Sequence, residues 1–411
     1  MPQPPGAGLI ANPVRTKGMG HGPALWLKAS IVVAFFAASS APSPLYAVYR
    51  EAWGFSALTL TLVFASYAVA LLGALLVFGA LSDHRGRREV ILLALGLEIG
   101  SVVLFWQAGS VGGLLAARVL QGVATGIATS ALSAGLLDLH RDRGALVNSV
   151  APMVGMAMGA LGTSLLVQFA PAPTRLVFEL LLVILAVQTV AAFYLPETVA
   201  RRAGAWRSLK PSLAIPVAAR TTLVQILPIN TALWALGGFY LSLGPTLARV
   251  VTGLQSPVVG GALIAALVLS SAAAILLVRQ RAPRSVLAGG AMALALGVST
   301  TLAGMHLHSV WALFVGTAVA GLGFGSSFNG AMRSLVPLAE PHERAGLMSS
   351  FFVLSYLAFS LPAVVAGLFA GVVGLQATAM GYGVALVLMA ITALGLMAAR
   401  PAAVVTGRVN S

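Results

Sequence analysis

Glu98 and Arg118 are the residues of this chain whose type and position could do chemistry, because each is an ionisable side chain inside a long apolar run. A charge held at such depth costs several kcal/mol unless it is paired or hydrated, so an intramembrane carboxylate is a functional candidate by default. Glu98 lies roughly ten residues from either end of its run and Arg118 about two turns into the next, which gives the two similar depths. The pair could carry a proton or form a static buried contact. Glu98 could also stay neutral in a packed interface, and Arg118 could reach the outer interface along its own stem. Gln121, Thr125, Thr129 and Ser133 follow Arg118 at helical spacing and draw a polar stripe down one face. Such a stripe suits water or a solute, whereas Gly122 and Gly126 suit close packing against a neighbouring helix.

A second cluster lies in the loop Gly79 to Glu89, GALSDHRGRRE, between two apolar runs. Gly79 allows close helix approach and Gly86 permits a tight turn. Asp83 can accept charge-assisted hydrogen bonds from a neighbouring Arg or face a helix N-terminus. Contacts of this kind can be made in one state and broken in another. Arg87 and Arg88 would also serve to set topology by the positive-inside rule, a role that accounts for neither Asp83 nor the two glycines.

The elements that must position these groups are membrane helices. Of 411 residues 59% are hydrophobic and only 8% charged, more apolar side chain than a soluble core requires. Twelve runs long enough to cross a bilayer lie between residues 24 and 398, the first over 24–49. The formal charge of +14 does not indicate a nucleic-acid partner, because nineteen of the 24 Lys and Arg fall on one side of the implied topology. Only Arg50, Arg175 and Arg249 lie opposite. That bias places both termini in the cytoplasm. There is no cysteine, hence no disulfide and no thiolate metal site, and no metal or cofactor is expected. Arg15, Lys17 and Lys28 precede an apolar stretch ending in AASSAPS, much like a signal peptide. The apolar character continues past Pro42 and Pro44 to Val48, so the first helix is expected to be retained.

The chain divides into a disordered cytoplasmic segment 1–23, a six-helix bundle 24–195, a basic cytoplasmic linker 196–221, a second six-helix bundle 222–398 and a cytoplasmic tail 399–411. The halves echo one another. QGVATG (Gln121 to Gly126) with a following RDRGAL corresponds to AGLGFG (Ala320 to Gly325) with a following HERAGL, about two hundred residues on. This is the imprint of a parallel repeat, in which solute sites lie between the halves near the midplane.

The loop reads as G-x-L-x-D-x-x-G-R-[KR], and in that it resembles the signature of the major facilitator superfamily of transporters. The fourth run, LAARVLQGVATG, resembles the family's R-x-x-x-G pattern. The fifth, APMVGMAMGALG, matches the antiporter element G-P-x-x-G-G only at Pro152 and Gly155, and Gly155 and Gly159 could equally form a packing seam. PET at Pro196 to Thr198 occurs at the corresponding point in sugar transporters. The resemblance implies an all-α membrane protein of twelve transmembrane helices in two pseudo-symmetric six-helix bundles, closest to the drug/proton antiporter branch. It further implies that the first loop latches the bundles on the cytoplasmic side when the cavity faces outward, with Asp83 near the start of the eleventh helix. By the same resemblance Asp138 pairs with Arg87 or Arg88, Arg143 joins them, and Arg118 takes part in proton transfer. Helices one, four, seven and ten then line the cavity, which makes Ser39, Ser40, Ser43, Gln121, Thr125, Asn230, Trp234, Ser326 and Asn329 the solute candidates.

The expected function is alternating-access transport, with proton-coupled export of a small organic or drug-like compound across a bacterial inner membrane. Uptake by proton symport or facilitated diffusion fits the same fold. The partners implied are a small-molecule substrate, protons and the lipid bilayer; the sequence is compatible with a monomer. A membrane-embedded enzyme would need a reactive constellation that is missing here, since His306 and His308 stand apart from any acid. A sensor would need a larger output domain than any loop supplies. No acid stands mid-way along the first helix, which weakens a case for cationic drugs, and no G-x-x-x-x-G-K-[ST] loop argues for ATP drive.

Overall fold

The computed structural model describes residues 19–399. Most of the expected N-terminal segment and the tail from residue 400 lie outside the described residues. In chain order the helices are α1 (His21–Ser40), α2 (Pro42–Trp53), α3 (Ala57–Phe78), α4 (Ser82–Arg85), α5 (Arg87–Gln107), α6 (Val111–Leu139), α7 (Arg141–Phe169), α8 (Pro173–Ala192), α9 (Val217–Ser242), α10 (Gly244–Thr252), α11 (Pro257–Val278), α12 (Pro283–His306), α13 (Val310–Leu335), α14 (Arg344–Val372) and α15 (Leu375–Ala399). Among the described residues twelve spans are long and apolar enough to cross a membrane, the first being His21–Trp53 with α1 and α2 in line. An even number of crossings puts both ends of the described stretch on one side, called here the terminal side; the opposite side is the far side. Helices are the only open-ended way to satisfy every backbone group in hydrocarbon.

Local sequence marks the helix ends. Ser56, Ser110 and Ser309 cap α3, α6 and α13, each accepting a hydrogen bond from the backbone N–H three residues on. Gly54 and Gly253 end α2 and α10 in the left-handed conformation, with φ of 66° and 70°. These caps recur about two hundred residues apart, as the repeat requires. The first and seventh spans are also interrupted alike, α1 giving way to α2 before Pro42 and α9 to α10 before Pro245.

The echoed motifs do the same work in both halves. Gly122 and Gly126 of α6 lie against the backbone of α3 at Tyr67 and Leu71, and their counterparts Gly321 and Gly325 of α13 lie against α11 at Leu267 and Ser271. A side chain at any of the four would drive the paired helices apart. Gly155 and Gly159 pack α7 on α1 at Val33 and Ala37, so the seam reading of that stretch accounts for both glycines.

Contacts between the two bundles lie at the far side and the middle. Arg249 of α10 pairs with Glu51 of α2 at 3.1 Å, and Ser256 donates to Gln168 at 3.1 Å. Gly367 of α14 meets Thr61 of α3, while Gly261 of α11 meets Ser164 and Ala160 of α7. Deeper in, Phe64, Ala68, Met156 and Ala160 of one bundle pack with Trp234, Leu241, Ile264, Tyr356 and Phe359 of the other. On the terminal side it is the linker that reaches across, where the Ala214 N–H donates to Gly346 O and Ser350 Oγ to Ala214 O. The bundles are thus fastened to each other at the far side.

Candidate functional site

Arg118 is fully buried and enclosed by the first bundle, so it does not snorkel to an interface. Its Nε donates to the Tyr46 hydroxyl, and Nη1 donates to Ser39 O at 2.8 Å and Gln121 Oε1 at 2.7 Å. The rings of Tyr46, Tyr67 and Phe105 stand 5.3 to 5.7 Å from its guanidinium carbon, within cation–π range. The break in the first span makes part of this cage. Pro42 and Pro44 supply no N–H to the Ala38 and Ser40 carbonyls, and the Ser39 carbonyl between them accepts from the guanidinium. Tyr67 Oη donates to Ser39 Oγ at 2.9 Å, tying α3 to the same point.

Glu98 is also fully buried but does not touch Arg118 directly, in contrast to the direct contact expected from their depths. Gln121 lies between them: its Nε2 donates to Glu98 Oε1 at 3.2 Å while its Oε1 accepts from Arg118. The amide has both a donor and an acceptor, so it suits an acid on one side and a cation on the other. Within this relay Glu98 Oε2 and Arg118 Nη2 are buried without a partner. Thr125 is fully buried, and its Oγ1 donates to the Gln121 carbonyl of its own helix.

The repeat supplies an internal control. At the offset that superposes QGVATG on AGLGFG, the second bundle has Thr317 for Arg118, Ala320 for Gln121 and Gly297 for Glu98. Gly297 and Ala320 are in direct contact there, and Thr317 Oγ1 shares a 2.8 Å hydrogen bond with Tyr240. The fold therefore closes at these positions without any charge, and the ionisable groups of the first bundle are not needed to build it.

The terminal-side loop forms a hub around Arg87, which is 7% exposed. Its guanidinium pairs with Asp83 and donates to Ser82 Oγ at 2.6 Å and Asp138 Oδ2 at 3.0 Å, while Thr198 Oγ1 donates to the same Asp138 oxygen at 2.8 Å. Glu197 of the PET stretch completes it: Oε1 accepts from the Arg87 backbone N–H at 2.7 Å and Oε2 from that of Arg88 at 3.2 Å. A carboxylate thus sits at the N-terminus of α5, where the helix dipole favours it. Gly86 is required for this by conformation, φ 100°, and by space, since a Cβ would lie 2.9 Å from Glu197 Cδ.

Asp138 pairs with Arg87, one of the two partners expected for it, and Arg88 donates instead to Phe193 O at 3.3 Å. Asp83 is engaged by Arg87 within its own bundle, in a structure whose bundles are fastened at the far side. Two expectations about this loop change. Arg143 is exposed and stays out of the hub, because α7 begins at Arg141 and points it away; only its backbone N–H is used, donating to His140 Nδ1. Around Gly79 a Cβ would meet only Leu75 of its own stretch, so no second helix approaches it.

The remaining cavity candidates divide. Ser40 Oγ donates to Met156 O at 2.9 Å, binding α1 to α7, and Ser43 Oγ is buried without a partner. Asn230 Nδ2 donates to Ser355 Oγ at 3.0 Å, an internal tie from α9 to α14. Trp234 stands among Phe328, Tyr356 and Phe359 at centroid distances of 5.1 to 6.3 Å, with Nε1 unpartnered, in the cluster where the bundles meet. Ser326 packs beside Gly290 of α12, and Asn329 keeps a buried Oδ1 without a partner. Sequence reading missed Glu197, whose signal was an acid in a Pro-flanked stretch at a helix end. It also missed Lys28, counted only toward topology: the side chain is fully buried and its Nζ donates to Gly135 O at 2.9 Å.

Comparison with known proteins bears on the whole chain. A family model described as the Major Facilitator Superfamily matches residues 29–283. A search of curated protein sequences gave no match. Among solved structures the chain is similar to the nucleoside transporter NupG, with a TM-score of 0.71 at 13% identity over 91% of this chain and 99% of that one. It is likewise similar to the human organic anion transporter MFSD10 (TETRAN), with a TM-score of 0.61 at 18% identity over 91% of this chain and all (100%) of the other. At such identities the likeness is one of fold.

Proposed function

Because this chain belongs to the major facilitator superfamily, whose members are transporters and not enzymes, we propose that it moves a small organic solute across a bacterial inner membrane by proton-coupled exchange, with both termini cytoplasmic. The observation that carries the coupling is the relay Glu98–Gln121–Arg118, present in one bundle and replaced by Gly297, Ala320 and Thr317 in the other. A neutral fold would not retain such a costly set of groups unless they were used.

The chain of action runs from proton to helix. With a proton on Glu98 the carboxyl is neutral and Gln121 is free to hold Arg118 against Ser39 O and Tyr46, at the break between α1 and α2. Loss of that proton leaves a buried carboxylate whose counter-charge is Arg118, one side chain away. Movement of the guanidinium toward Glu98 would release the break. The half of the first span beyond it carries Glu51, which through Arg249 makes one of the contacts between the bundles at the far side. On the terminal side the Asp83–Arg87–Asp138–Glu197 hub is poised to latch when the bundles close there. A two-state element biased by a charge change is what coupling requires.

Uptake by symport would use the same relay with the order of binding reversed, and the two directions separate in oriented vesicles. The coupling itself is tested by Glu98→Gln, which keeps size and hydrogen bonding but cannot titrate. The variant is expected to retain energy-independent solute counterflow and lose gradient-driven accumulation. Accumulation equal to that of the natural chain would remove Glu98 from the mechanism.

A further inference from the structure

The geometry points to a negatively charged solute: we infer that its anionic head is received in the cleft between α1 and α6, beside the unpaired ammonium of Lys28. The inference rests on the transporter reading but not on its proton coupling.

Lys28, Val32, Phe35 and Ser39 fall on one face of α1 at steps of four, three and four residues. They face the α6 stripe that runs from Arg118 through Ala128 and Leu132 to Gly135, so the cleft has a buried cation at each end. Between them lies a cavity of about 50 Å³, lined by Val32, Phe35, Thr129, Ser133 and Asn148 among others. That is room for a carboxylate group or a few waters rather than a whole solute, and its hydroxyl and amide groups can hydrogen-bond an anion.

The two cations differ: Arg118 has Glu98 one side chain away, whereas among the described residues Lys28 has no ion-pair partner of its own, and one carbonyl uses one of its three N–H donors. The acids at its end of the bundle are taken: Asp138 by Arg87 and Thr198, Glu197 by the start of α5. Arg118 keeps Nη2 without a partner. An anion supplied from outside would offset the cost of a buried ammonium whose nearest carboxylates, Asp138 and Glu197, are held by other groups. The repeat again shows that the fold does not ask for the ammonium, because the position equivalent to Lys28 is Leu227. The second bundle offers no carboxylate to a cationic solute, as the sequence has no Asp or Glu from Val199 to Ala339 or from Arg344 to its end. It offers an aromatic group instead, Trp234 with Phe328, Tyr356 and Phe359, suited to an apolar tail.

Three near-isosteric probes separate charge from shape: phenylacetate, phenylethanol and phenylethylammonium. Binding to the purified full chain is read at neutral pH, without a gradient, as the concentration giving half-maximal thermal stabilisation. Phenylacetate is expected to act at a concentration at least about tenfold lower than the other two. Lys28→Met should abolish that preference and Lys28→Arg keep it, while Lys210→Met, the same charge change on an exposed linker residue, should leave it intact. The proposal is overturned if the alcohol or the ammonium probe binds as well as the anion, if none discriminates, or if Lys28→Met retains the preference. The ranking on the natural chain decides even if a variant fails to fold. Failure of proton coupling would instead appear only in vesicle flux.

Discussion

Gly261→Ala should open the far side. A Cβ at Gly261 would lie 2.7 Å from both Ala160 O and Ser164 Cβ, and closer still to Ser164 Oγ. Ordinary contact begins near 3.4 Å, so α7 and α11 must separate by about 0.7 Å or distort to admit one methyl group. Overpacking of this kind costs about 1–3 kcal/mol. Because Ala160 and Ser164 belong to one bundle and Gly261 to the other, that cost falls on the far-side-closed state and not on the folding of either bundle. The ratio of far-side-open to far-side-closed molecules should then rise by roughly 5- to 150-fold. The chain contains no cysteine, so paired spin labels can be introduced without background. One pair at Ser56→Cys and Leu254→Cys reads the far side; a second at Asp142→Cys and Gln280→Cys reads the terminal side. In Gly261→Ala the far-side distance should lengthen as the terminal-side distance shortens. Gly162→Ala, on the same α7 at a site with nothing within 4 Å, should change neither. Unchanged distance distributions in Gly261→Ala, or an equal shift in Gly162→Ala, would refute the assignment of this contact as part of the far-side closure.

Two further substitutions test the terminal-side hub. Gly86→Ala places a side chain at φ 100° against the Glu197 carboxylate, and should cost about 1–3 kcal/mol, seen as a thermal midpoint lower by several degrees and reduced transport. Arg87→Gln should lose most transport and lower stability by about 1–3 kcal/mol, since it leaves Asp83 and Asp138 without their cation. Arg88→Gln, which loses one backbone contact at the surface, should stay within about 0.5 kcal/mol of the natural chain. Equal loss in the two arginine variants would mean that the positive charge of the loop, not the hub, is what matters.

The fold was legible because membrane helices announce themselves by length and apolarity, and because the repeat leaves matching glycines, caps and proline breaks in both halves. Gly122 and Gly126 could be read as packing residues from sequence alone, and they pack. The first span runs from His21 rather than residue 24, because helix continues past the apolar stretch into the polar residues at its start. Site geometry was less legible, for reasons that lie in rotation rather than depth. Equal depth placed Glu98 beside Arg118, but it could not show that Gln121 projects between them. The polar stripe on α6 looked like a cavity wall from its period, yet Gln121 turns to the caged guanidinium, Thr125 bonds back to its own helix, and Thr129 and Ser133 line the cavity. Arg143 follows Arg87 and Arg88 in type, but a helix start at Arg141 points it elsewhere. Glu197 had no periodic signal at all, because its role depends on a loop and a linker meeting more than a hundred residues apart in sequence.

The central claim is that transport is coupled to protons through Glu98. Its most direct test is proton movement in energised inverted vesicles containing the natural chain or Glu98→Gln, challenged with a panel of organic acids, drugs and sugars. The account predicts that one class of compound draws protons out of the lumen in the natural chain and that the variant, inserted to the same level, shows none of this release. Solute-dependent proton release that persists undiminished in Glu98→Gln would contradict it.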